Sequence, residues 1–208
     1  MIFFQHPGFW LNWYYPGALF RLPDSKRKRL VLTFDDGPQP GVTDRVLDIL
    51  KEEQIQAIFF CLGRQVKAYP ELFARIQREG HWVGNHSFSH LNGLNTALGV
   101  YIDDVSEASN WISSPFFRPP YGKMKRSQFF KLKKSYQVML WDVLAVDYEP
   151  NRSPEQCVDT VLKYSRNGSV IVFHDSLKAA DRVLGALKPS IKALKSKGFE
   201  FCLPPIPH

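Results

Sequence analysis

Leu30-Val31-Leu32-Thr33-Phe34-Asp35-Asp36-Gly37-Pro38 is the stretch on which both the fold and the chemistry turn. The continuous apolar run 30–32 reads as a strand covered on both faces. Gly37-Pro38 stops it, leaving Asp35 and Asp36 side by side at the strand's C-terminal tip. Adjacent like charges repel, and an apolar strand end solvates them poorly. A cation beside them relieves that strain, as does a division of labour in which one carboxylate holds metal and the other moves a proton. Taken alone the stretch is equally well an ordinary polar turn. The histidines downstream tip the balance.

Working outward, segments 57–62, 82–84, 116–117, 137–141, 169–173 and 199–203 read as further strands. Helical periodicity with stop and start signals falls at 42–53 (Thr43 or Asp44 available as cap), 70–79, 100–112, 127–135, 153–165 and 181–197. Strand and helix alternate about seven times over short connections, the pattern of a parallel sheet covered by helices. An open doubly wound sheet and a closed barrel both satisfy it. Polar clusters follow at least five strands, which favours loops converging on one face of a barrel over a single crevice. The expected fold is α/β: a single-domain, distorted (β/α) barrel with about seven parallel strands. Residues 1–24 are expected to be an aromatic extension packed on a catalytic domain of residues 25–208.

The bulk numbers agree with one domain. At 208 residues, 44% hydrophobic and 23% charged, the chain can bury a sizeable core. Its net charge of +7 gathers at 26–29, 123–134 and 188–197. Such runs are usually solvated faces, and the alternative is peripheral contact with an anionic surface or polymer. No nucleic-acid module accompanies them. Cys61, Cys157 and Cys202 are odd in number and widely spaced, unlike a disulfide framework or a zinc knuckle. No transmembrane stretch is visible, and segment 1–20 lacks the basic start and cleavage site of a leader. These features lead to the expectation of a cytoplasmic monomer.

His86 and His90 are four residues apart, a spacing that on a helical turn puts both imidazoles on one face. With Asp36 they form a set of two histidines and a carboxylate. Catalytic zinc sites use that set with an open position for water, and so do non-haem iron oxygenases.

Five motifs then fall in order: 33–38, His86 to His90, Arg118-Pro119-Pro120-Tyr121-Gly122, 141–148 and Phe173-His174. Together they resemble the motifs of NodB-type polysaccharide deacetylases, carbohydrate esterase family 4. The resemblance implies metal-dependent removal of acetyl groups, by amide cleavage with ester cleavage as an alternative, from N-acetylated amino sugars or polysaccharides such as peptidoglycan or chitin oligomers. It implies that Asp36, His86 and His90 hold one divalent metal, zinc with cobalt or nickel as alternatives. It makes Asp35 the base, Arg118 its partner, the Tyr121 N–H the oxyanion donor and His174 the general acid. Trp141, Tyr148 and Pro120 would wall the substrate pocket.

One position departs from the pattern. The fourth motif of the family reads Asp-x-x-Asp-aromatic, and its first Asp orients the acid histidine. Leu144 stands there instead. Asp142, two residues earlier on an extended strand, is the expected replacement, with Asp147 second. The same departure supports a rival expectation, a binding module that has lost turnover. A redox iron enzyme is the third.

Overall fold

In the computed structural model, which describes residues 10–23 and 27–206, β1 (Arg29–Asp35) lies within the sheet and orders everything else. Residues 1–9 and 24 of the expected extension, and Lys26 of the first basic run, lie outside the described residues. Side chains along a strand alternate between faces. Leu30, Leu32 and Phe34 accordingly join the core beneath the helices, while Val31 joins a separate cluster with Ile58, Phe60, Phe116, Met139 and Val170. That second cluster fills the barrel. By the same alternation Thr33 and Asp35 follow Val31 inward, and Asp35 arrives at the barrel's mouth.

Around β1 the strands run β5 (Gln137–Val138), β4 (Phe116–Phe117), β3 (Trp82–Asn85), β2 (Ile58–Cys61), β1, β7 (Val170–His174), β6 (Val143–Leu144). Every pairing is parallel. β8 (Glu200–Phe201) pairs with the start of β1. The two ends of the row are joined by one bent run of chain. The Met139 N–H donates to the Phe117 carbonyl, and three residues on the Asp142 N–H donates to the Val170 carbonyl. The expected strand over 137–141 is therefore cut short to β5, and β6 starts only beyond it, because the chain changes partners from β4 to β7 partway along. Leu19 bridges Met139 and Arg21 bridges Ser169, so the N-terminal segment laces the same gap. This is the expected distorted (β/α) barrel.

α2 (Thr43–Glu52), α4 (Pro70–Arg78), α7 (Pro154–Tyr164) and α8 (Ala180–Ser196) contribute to the larger core. α7 starts where Ser153 and Pro154 predict, with Ser153 and Gln156 in a capping box. α5 (Leu98–Ser109) and α6 (Arg126–Leu132) enclose a second core with Tyr15 and Phe20 beside the first helix, α1 (Trp10–Tyr14). α3 (Gly63–Ala68) runs on directly from β2 and has too few apolar positions to show a helical period. At α2, neither Thr43 nor Asp44 caps the helix; Val42 occupies that position. The Thr43 hydroxyl is committed elsewhere, to Asp175.

Candidate active site

Register brings the site together. Asp35 lies level with Phe60 of β2 and His174 of β7, and Asn85 of β3 lies level with Cys61 and Phe117. The C-terminal ends of β1, β3, β4 and β7 thus deliver Asp35-Asp36, His86, Arg118 and His174 to one face.

Arg118 crosses the barrel and is fully buried. Its Nε donates to the Met139 carbonyl at 3.1 Å and Nη2 to the Leu140 carbonyl at 2.9 Å. Nη1 donates to Thr33 Oγ1 at 2.8 Å and to Asp35 Oδ1 at 2.6 Å. The guanidinium lies 4.0 Å from the centre of the Phe60 ring. A planar fork with fixed donors suits this buried role, which a lysine could not reproduce. Gly84 makes room for the stack, since a Cβ there would come within 2.4 Å of the Phe60 ring. One oxygen of Asp35 is thereby tied down. The other, Oδ2, faces His86 Nε2 at 4.0 Å.

Asp36 turns the other way, its backbone in the left-handed region at φ 83°. Oδ1 lies 3.2 Å from His90 Nε2 and 3.6 Å from His86 Nε2. It is buried, yet makes no hydrogen bond of acceptable geometry. Donor atoms of Asp36, His86 and His90 all fall within 4.8 Å of one another. His86 donates from Nδ1 to the Arg118 carbonyl at 2.8 Å, which leaves Nε2 with its lone pair toward Asp36. Burial pushes the His86 pKa down to about 4, so this imidazole is neutral, as a metal ligand must be. Burial works to raise the Asp36 pKa, but contact with His90 and the nearby His174 and His86 hold it well below the usual carboxylate range. An orphaned buried oxygen among two imidazole nitrogens fits a divalent cation.

The four-residue spacing of the histidines is not delivered by a helix. Residues 86–90 form an irregular loop with Ser87 at φ 67° and His90 at φ 64°. Asn85 and Ser87 brace it: Asn85 Oδ1 accepts the Ser87 N–H at 2.8 Å and Ser87 Oγ accepts the His90 N–H at 3.0 Å. His81, by contrast, is buried away from this cluster and accepts the Ala57 N–H at Nδ1.

The carboxylate beside His174 is Asp147, not Asp142. Asp147 Oδ1 lies 2.7 Å from His174 Nδ1, and Oδ2 accepts the His174 backbone N–H at 2.7 Å. Asp142 instead pairs with Arg166 at 2.8 Å and accepts the Ser169 hydroxyl at 2.7 Å. Register explains the difference. Asp142 lies level with Val170, four residues short of His174, or about 13 Å along the strand. Beyond β6, Val146 at φ 60° turns the chain back and sets Asp147 over the end of β7. Burial opposes charge on His174, but Asp147, with lesser help from Asp36 and Asp35, pushes its pKa up to about 9.

Tyr121 follows Pro120 in a short 3-10 turn and sits at φ 60°. Its ring is exposed and packs edge-on against His90 with centres 4.6 Å apart. Among the described residues no backbone bond engages its N–H. The Tyr148 ring packs edge-on against His174 at 5.0 Å. Trp141 and Tyr148 both lie against an apolar cluster of Leu144, Val146 and Val172. Gly122 has no Cβ where one would come within 2.2 Å of Trp141.

Comparison with known proteins places this geometry. Residues 23–139 match the polysaccharide deacetylase family. A peptidoglycan-N-acetylglucosamine deacetylase of Bacillus cereus is 31% identical over 187 residues, which cover 85% of this chain and 86% of the relative. The chain belongs to the polysaccharide deacetylase family. A chitooligosaccharide deacetylase of Azorhizobium caulinodans is 32% identical over 198 residues, 86% of this chain and 92% of the relative. Among solved structures, a peptidoglycan N-acetylglucosamine deacetylase in complex with 4-naphthalen-1-yl-N-oxidanyl-benzamide superposes with a TM-score of 0.82 at 31% identity, covering 93% and 92% of the two chains.

Of the deacetylase positions named from sequence, Asp35, Asp36, His86, His90, Arg118, Tyr121 and His174 gather at one mouth, with Trp141 and Tyr148 along its rim. Asp142 does not join them. Two further residues support the site, and of these only Arg182 escaped sequence reading. Asp175 is buried and accepts the Gly37 N–H at 3.1 Å and the Thr43 hydroxyl at 2.5 Å, fixing the turn that carries Asp36. Arg182 of α8 donates from Nε to the Asp147 carbonyl at 2.5 Å, holding that loop in place. For Asp175 the adjacent His174 was a signal; for Arg182 there was none.

Proposed function

We propose that this chain is a metal-dependent hydrolase that removes acetyl groups from N-acetylated amino sugars of a glycan, with peptidoglycan and chitin-type oligomers as the substrates to try first. The observation that carries this reading is the split between adjacent carboxylates: Asp35 Oδ1 is held by Arg118 at 2.6 Å, while Asp36 Oδ1 faces His90 and His86. Two imidazoles and one carboxylate suit zinc, with cobalt or nickel as substitutes. The family's curated relatives include deacetylases of both glycan types.

Asp36, His86 and His90 would hold the ion, which supplies polarisation of the acetyl carbonyl and acidification of water. Asp35 takes the attacking water's proton on Oδ2, the oxygen that Arg118 leaves free. As the carbonyl oxygen gains charge, the Tyr121 N–H donates to it. His174, kept protonated by Asp147, passes a proton to the departing nitrogen so that it leaves as a neutral amine. Leu144, Val146 and Val172, walled by Trp141 and Tyr148, receive the acetyl methyl group. Leu144 then serves the apolar pocket, and its presence no longer argues for a binding module without turnover.

The test is acetate release from peptidoglycan fragments and chito-oligosaccharides by zinc-loaded protein, with Asp35→Asn as control. Release by the parent, and its loss in a variant that still binds stoichiometric zinc, supports the reading. Zinc binding without acetate release from any acetylated glycan would sink it.

A further inference from the structure

The face formed by α1 and α6 is cationic and lies outside the residues assigned above to deacetylation. Neither residues 1–23 nor residues 108–141 contain a single Asp or Glu, while residues 119–141 contain six Lys or Arg. Residues 10–23 pack on the second segment. Tyr15 donates its hydroxyl to the Met124 carbonyl at 2.7 Å and accepts the Met124 N–H at 2.9 Å. Lys133 Nζ reaches the Pro16 carbonyl at 3.2 Å. Two large apolar rings stand out from this face, Trp13 at 72% exposure and Phe130 at 40%. Cations flank them: the Arg126 guanidinium lies 5.5 Å from the Trp13 ring and 5.3 Å from that of Phe130, and Lys133 Nζ lies 5.3 Å from Phe130. Lys131 and Lys134 are exposed alongside.

We propose that this face docks the enzyme on an anionic lipid bilayer, with Trp13 and Phe130 entering the headgroup region and Arg126, Lys131, Lys133 and Lys134 on the lipid phosphates. Exposed aromatic rings among cations with no acid in either segment are the pattern of an interfacial contact. A polyphosphate would need the cations alone, and would leave the two rings without a role. Because Met124 follows the Tyr121 turn by three residues, the docked face borders the catalytic mouth and sets that mouth close to the bilayer.

Co-sedimentation of the full chain with vesicles tests this, using phosphatidylcholine alone and phosphatidylcholine mixed with phosphatidylglycerol. Binding is expected only to the mixed vesicles and weakens as salt rises. Trp13→Ala and Phe130→Ala each weaken it about tenfold. Lys131→Gln and Lys134→Gln each weaken it about fivefold. These side chains are exposed, so all four variants should melt like the parent. No binding to anionic vesicles overturns the proposal. So does equal binding by the two ring variants, or tighter binding to soluble polyglycerol phosphate than to vesicles, either of which would assign the face to an acidic polymer.

Discussion

His174 and Asp147 are joined twice, ring Nδ1 to one carboxylate oxygen and backbone N–H to the other, each at 2.7 Å. The double contact fixes the imidazole's orientation and favours its cationic form, with the pKa raised to about 9 from an ordinary 6.5. A raised pKa means that the pair's contribution to stability is complete below about pH 6.5 and is lost as pH climbs through about 9. The acid step follows the same proton, so activity should fall on an alkaline limb. In Asp147→Asn the charge is gone while burial still disfavours the cation. That limb should move down to about pH 6.5 or below. A pH profile of acetate release, parent against variant, reads the shift; an unmoved limb would remove Asp147 from the mechanism.

Arg118 offers a stability test. Its guanidinium is fully buried and satisfies Asp35, Thr33 and two carbonyls at once. Removing one partner of a buried charge pair strands the other, at a cost of about 3–5 kcal/mol. Arg118→Met should therefore lower unfolding free energy by that order in denaturant titrations. Arg118→Lys should recover only part of it, since an ammonium cannot span four acceptors in a plane. A neutral outcome for Arg118→Met would mean that the buried contact with Asp35 adds nothing to stability.

How far the sequence could be read follows from which interactions are local. The strand at 30–35 and its Asp-Asp tip were legible because apolar continuity and a Gly-Pro stop are written in adjacent residues. The cluster of Asp36, His86 and His90 was legible through spacing, although it is not a helical turn that brings His86 and His90 together. A braced loop with two left-handed residues achieves the same convergence, and spacing alone cannot distinguish the two. Sequence ranks Asp142 ahead of Asp147 as the partner of His174, and the structure reverses that order because the choice depends on register between β6 and β7. Alternation along a strand says which face Asp142 occupies, but not that it lies four residues too early. Arg182 was invisible for a related reason: its contact with Asp147 joins segments 35 residues apart on separate elements.

Metal binding can be followed without turnover. Zinc added to metal-free protein should raise the melting temperature as ligation stabilises the folded state. His90→Ala and Asp36→Asn should abolish most of that rise and the stoichiometric zinc found by elemental analysis. His86 is neutral at pH 7, with a pKa lowered to about 4 by burial, so its ligation should release no proton there. Isothermal titration in buffers of different ionisation enthalpy checks this. A full proton released per ion would show that a ligand must first be deprotonated.

Gly37 and Asp175 make the last prediction, because the placement of Asp36 between β1 and its loop depends on them. A Cβ on Gly37 would come within 2.0 Å of an Asp175 carboxylate oxygen. Gly37→Ala must push the carboxylate or the turn aside, at a cost of about 1–3 kcal/mol for overpacking. Thr43→Val leaves the turn its space but takes away the hydroxyl that Asp175 Oδ2 accepts, stranding a buried acceptor for about 1–3 kcal/mol. Burial raises the Asp175 pKa to about 7 against the pull of that hydroxyl, so the Thr43 variant should hold its proton to higher pH. Both variants should unfold at lower denaturant. Only Gly37→Ala should also weaken zinc binding, because it alone shifts the backbone next to Asp36. Equal zinc affinity in Gly37→Ala and the parent would show that Asp36 is positioned independently of that turn.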